Sequence, residues 1–102
     1  MRTLHLTLKK NWFDMILSTE KKEEYRELKP YWHKRLRPFF TDEETPKQII
    51  FKNGYQKDAP TMIVELKTIK TSLGLVQWGA PENECVYILE LGNIIETSNL
   101  RA

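Results

Sequence analysis

The stretch Glu84 to Ile95 admits few folds. Cys85, Val86, Tyr87, Ile88, Leu89 and Leu91 follow one another with only Glu90 among them, so a strand here is apolar on both faces. Such a strand has no side to give to water and belongs in the middle of a sheet that is covered twice. Gly92 within it points to a bulge or a close approach of backbone. Cys85 reads as a buried structural thiol in the same run, not as a nucleophile. As the lone cysteine it excludes an intramolecular disulfide and a multi-cysteine metal cluster.

The rest of the chain supplies neighbours for that strand. Thr3 to Leu8 alternates, with Leu4, Leu6 and Leu8 on one face and Thr3, His5 and Thr7 on the other, the pattern of a half-buried strand. Asn11 suits the N-cap of a helix running through Trp12 to about Ser18. Trp12, Phe13, Met15, Ile16 and Leu17 are its core-forming residues. Lys21 to Leu28 reads as a second strand, with a continuation of the first helix as the alternative. Pro30 opens a short helix, Tyr31 to Arg37, which Pro38 closes. Lys47 to Lys52 is a third strand ended by the turn signal Asn53-Gly54, and Thr61 to Lys70 a fourth, with Met62, Val64 and Leu66 on one face. Thr71 to Asn83 is a loop whose Leu73, Leu75, Val76 and Trp78 pin it to the body. Residues 97 to 102 read as a frayed tail. The expectation is a single domain spanning 1–102, α+β in class, with about five to six strands and two short helices. Closing those strands into a small β-barrel removes exposed edges.

Composition narrows function less. Charged residues make up 29% of the chain but balance to a net +2, so no strong overall field follows. Lys29 to Arg37 nevertheless holds Lys29, Lys34, Arg35 and Arg37 without an acid, a local basic run open to nucleic acid. No apolar run approaches membrane-spanning length and Met1 to His5 carries no signal-like apolar segment, so a cytoplasmic setting without a membrane partner is expected. His5 and His33 stand far apart with no ligand spacing around them, and no metal is expected. The four glycines form no phosphate-binding loop and no G-x-S-x-G elbow appears. No cofactor is expected either.

One cluster remains, Thr19-Glu20-Lys21-Lys22-Glu23-Glu24-Tyr25-Arg26. Strand alternation sets Lys22, Glu24 and Arg26 on one face and Lys21, Glu23 and Tyr25 on the other. The cluster is either a solvated strand edge, with ion pairs of little individual worth, or the wall of a polar pocket. In a pocket, the Arg26 guanidinium offers a rigid donor fork, the Glu24 carboxylate accepts from an amino group, and the Lys21 ammonium holds a phosphate or a developing oxyanion.

Lys21-x-x-Glu24-x-Arg26, following a strand and an apolar helix, resembles the ASCH domain family of the PUA-like superfamily. That family shows G-x-K-x-x-[ET]-x-R at this place, and here Thr19 stands where glycine is usual. The leucine-rich opening strand, Ile63-Val64-Glu65-Leu66, and the ending Tyr87 to Ile95 also look like their ASCH counterparts. The resemblance covers nearly the whole chain and implies a stand-alone PUA-like β-barrel with a cleft beside the motif. The implied ligand is RNA or a nucleoside- or nucleotide-derived molecule, held by Lys21, Glu24 and Arg26, with Lys34, Arg35 and Arg37 tracking a phosphate backbone. Trp32 or Trp78 is the candidate for stacking a base. One branch of the family hydrolyses the acetyl amide of N4-acetylcytidine with the motif lysine, a threonine and a later glutamate. By that analogy Lys21, Glu24 and Glu65 are the catalytic candidates, and ribonuclease activity is a further alternative. Glu24 occupies the threonine's position, and a carboxylate does not replace a hydroxyl in acyl transfer without forming an anhydride or acting as a base on water.

Overall fold

A computed structural model of the chain describes residues 1–100. The elements run β1 (Arg2–Thr7), α1 (Lys10–Leu17), β2 (Glu23–Arg26), α2 (Pro30–Phe40), β3 (Lys47–Lys52), β4 (Thr61–Leu73), a single 3-10 turn (Val76–Trp78) and β5 (Cys85–Ser98). The five strands form one mixed sheet in the order β1-β3-β4-β5-β2. The fold is α+β, as the sequence suggests. β1 runs parallel to β3, because α1, β2 and α2 lie between them in the chain; the other three pairings are antiparallel.

The double-sided apolar run lands in the sheet interior, between β4 and β2. Tyr87, Leu89 and Leu91 join the main core, with Leu4 and Leu6 of β1, Phe51 of β3 and Met62 of β4. Val86 and Ile88 face the other way into a small second cluster with Tyr25 and Ala80, against which Trp78 packs. Alternation along one strand thus feeds two cores. Gly92 sits where the β4–β5 register shifts, and a Cβ there would stand 2.4 Å from Glu65 Oε1. The missing side chain lets Glu65 accept the Asn93 backbone N–H at 2.9 Å.

Helix limits differ from the sequence reading for local reasons. α1 begins at Lys10, with Lys9 as its N-cap and Asn11 already inside the first turn. The Lys10–Asp14 pair at 2.6 Å ties that turn together. Pro38 lies inside α2, which continues to Phe40. Phe39 and Phe40 pack against the main core beside the fully buried Leu36. Thr41 closes the helix by donating both its N–H and its hydroxyl to Arg37 O. That apolar docking outweighs the one helical hydrogen bond that proline removes.

Three further expectations change. Cys85 is exposed, because β5 starts there, opposite Leu73 at the projecting end of the β4–β5 hairpin and beyond both cores. Leu73, Leu75 and Val76 are exposed for the same reason; Trp78 and Ala80 are the loop's side chains that join the second cluster. β5 extends to Ser98, pairing with Thr61, so the chain stays in the sheet two residues into the expected tail. Its last residues, 101 and 102, lie outside the described residues. No helix among the described residues is long and apolar enough to cross a membrane.

Candidate functional site

The charged cluster begins where α1 ends. Ser18 caps the helix through its hydroxyl to Met15 O at 3.1 Å. Thr19 then takes the left-handed conformation, φ 67°, the backbone for which glycine is the ordinary residue. This reversal brings Lys21 N–H onto Met15 O at 2.9 Å and turns the Lys21 side chain inward. β2 itself covers only Glu23–Arg26. Lys21 precedes it, so strand alternation does not govern Lys21. Its ammonium reaches groups on both faces, Glu24 Oε1 at 2.8 Å and the Tyr25 ring at 5.4 Å.

Lys21 and Glu24 are each only 3% exposed. Glu24 is bracketed, with Lys21 Nζ on Oε1 at 2.8 Å and Arg26 Nη1 on Oε2 at 2.6 Å. The ammonium also donates to Trp78 O and stands 4.5 Å from the centre of the Trp12 ring. Gly79, at φ 103°, terminates the 3-10 turn that presents this carbonyl. Burial pulls the Lys21 ammonium below its ordinary pKa of 10.5, with the Glu24 carboxylate opposing that shift. Among the described residues no buried side-chain nitrogen or oxygen lacks a hydrogen-bond partner. The motif is therefore a closed ion triad of two cations and one anion.

Arg26 is the member that faces outward. It lies in the wall of a pocket of about 600 Å³ shared by both edge strands and the start of α2. His5 and Thr7 enter from β1, Lys52 from β3 and Arg35 from α2. The Arg26 and Arg35 guanidinium centres stand 5.1 and 5.4 Å from the Trp32 ring. Arg35 also donates to His5 O on the free edge of β1. Tyr31 and Tyr55, 63% and 92% exposed, complete the rim. Among the described residues no carboxylate lines this pocket.

Of the residues named from sequence, Lys21, Glu24 and Arg26 come together, and Arg35 joins Arg26 across Trp32. Lys34 and Arg37 stay on the exposed side of α2 and line no part of this pocket. Trp78 packs on the second cluster. Glu65 is on the far side of the triad, in a groove of about 340 Å³ that Lys21, Lys22 and Lys67 also line. Lys52, Tyr31 and Tyr55 escaped the sequence reading as site residues. For Lys52 the local signal is alternation: with Phe51 in the core, Lys52 must point to the opposite face. What brings it beside Thr7 is the parallel β1–β3 register, a long-range pairing that no short motif encodes. No group of His, Cys, Asp or Glu suited to a metal is present among the described residues.

No family model, curated protein or solved structure matches the chain.

Proposed function

We propose that the protein is a cytoplasmic ASCH-type module, a PUA-like barrel in architecture, that binds RNA or a nucleotide-derived ligand in the pocket beside Arg26. The observation that carries this reading is a cavity lined by Arg26, Arg35 and Lys52, rimmed by aromatic rings and, among the described residues, free of carboxylates. A phosphate is the ligand group that most benefits from several convergent cations. Lys21 and Arg26 share the single carboxylate of Glu24, so the triad carries a net positive charge, and Arg26 is the member that presents it to the pocket. Lys34 and Arg37 extend the basic surface along α2 for a longer strand. Two further features support the family assignment. The position where the family carries glycine is a left-handed one, at Thr19. Both sheet edges, β1 and β2, also contribute side chains to one pocket, the arrangement that a barrel reading requires of its first and last strands.

The test is a titration of short RNAs at about 50 mM and about 200 mM salt. Salt-sensitive binding lost in Arg26→Ala and Arg35→Ala supports the reading, and absence of binding at low salt refutes it.

A hydrolase reading has one observation in its favour: Lys21 and Glu65 border the same groove. Its obstacle is that the Lys21 side chain is 2% exposed, with its ammonium already given to Glu24 and the Trp78 carbonyl. Incubation with N4-acetylcytidine, with Lys21→Ala as control, decides between the readings. Binding without turnover is the expected result.

A further inference from the structure

Within the binding reading above, on which this inference rests, we infer that the pocket takes a phosphorylated nucleoside whose base is unpaired, with the phosphate between Arg26, Arg35 and Lys52 and the base stacked on Tyr55. Trp32, one of the two aromatics that the sequence offers for stacking and the one that lines this pocket, is the poorer platform, because two guanidinium groups already lie against its ring. Tyr55 is 92% exposed on the same rim. It lies in the 53–60 loop between β3 and β4, which the Asn53 N–H closes onto Pro60 O, directly after Gly54 at φ 116°. One cation and one open ring are thereby held three residues apart at the pocket mouth.

Donor geometry agrees with a phosphate. Both hydrogen bonds of Arg26 leave through Nη1, to Glu24 and to the Tyr25 carbonyl. Nη2 and Nε of Arg26 carry none among the described residues. Lys52 forms no ion pair there either. The cavity of about 600 Å³ is in the range of small-ligand sites. A duplex keeps its base faces inside its stack, so it offers Tyr55 nothing to cover. An unpaired base gains stacking on any exposed aromatic face, whatever its identity.

The experiment measures binding of a labelled single-stranded RNA, of the same sequence as a duplex, and of a labelled nucleoside monophosphate. Inorganic phosphate serves as competitor, and the proteins are wild type, Tyr55→Ala and Tyr55→Phe. Unpaired ligand is expected to bind at least about tenfold more tightly than duplex, with Tyr55→Ala losing about tenfold and Tyr55→Phe retaining affinity. Binding of the monophosphate as tightly as the strand assigns a free nucleotide; binding of the strand alone assigns RNA. Either outcome satisfies the proposed chemistry. Equal affinity for strand and duplex, or an unaffected Tyr55→Ala, overturns the stacking inference while leaving the binding reading intact. Failure of every ligand to bind overturns both. Tyr55 is almost wholly solvent-exposed, so its variants test recognition and not folding.

Discussion

Glu24 holds its charge away from water only because two cations face it. Removing one member of such a buried set leaves uncompensated charge, at a cost of about 3–5 kcal/mol. Glu24→Gln leaves the Lys21 ammonium and the Arg26 guanidinium facing each other, and urea unfolding is expected to show a loss of about 3 kcal/mol. Lys21→Met leaves Glu24 paired with Arg26 and is expected to cost less; an equal or larger loss would contradict the triad. Tyr25 offers a pH test. Its hydroxyl donates to Glu23 and accepts from Leu75 N–H, and burial raises its pKa above the ordinary 10.0. The folded chain then holds this proton after the unfolded chain has released it, so Tyr25's contribution to stability falls as pH rises above 10.0. Wild type should lose stability relative to Tyr25→Phe across that point, and parallel curves would exclude the effect. Thr19 is a β-branched residue in the left-handed region. Thr19→Gly is expected to stabilise by about 0.5–1 kcal/mol, and a loss in thermal or urea unfolding would count against strain at that turn.

At the level of elements, the sequence was most legible where a period of two meets a core. The leucines of β1 and the two-sided burial of β5 follow from side-chain alternation, and the limits Lys47–Lys52 of β3 from a short apolar run stopped by Asn53-Gly54. Where tertiary packing competes with a local signal, the signal misleads. Pro38 marks a helix stop in isolation, yet Phe39 and Phe40 extend α2 by docking on the core. Cys85 belongs to an apolar run but falls at the projecting end of a hairpin. The site was half legible for the same reason. Lys21, Glu24 and Arg26 are close in sequence, so their association shows in a short motif. The inward turn of Lys21 depends on the Thr19 backbone, and the placing of Lys52 depends on strand pairing with β1.

For the whole molecule, a net charge of +2 conceals an uneven distribution, with one pocket lined by Arg26, Arg35 and Lys52 and by no acid among the described residues. If the one phosphate held there and two more met by Lys34 and Arg37 along α2 are neutralised, the logarithm of affinity for a single strand should fall with the logarithm of salt with a slope of about −2. Lys34→Ala should flatten it by about 0.7, and an unchanged slope would remove Lys34 from phosphate contact. The central claim, however, is one of location. Its most direct test is the map of backbone and indole NMR shifts when labelled protein is titrated with single-stranded RNA. The largest changes are expected at Thr7, Arg26, Trp32, Arg35, Lys52 and Tyr55. Changes confined to Ile16, Lys22, Glu65 and Asn93, around the opposite groove, would contradict it.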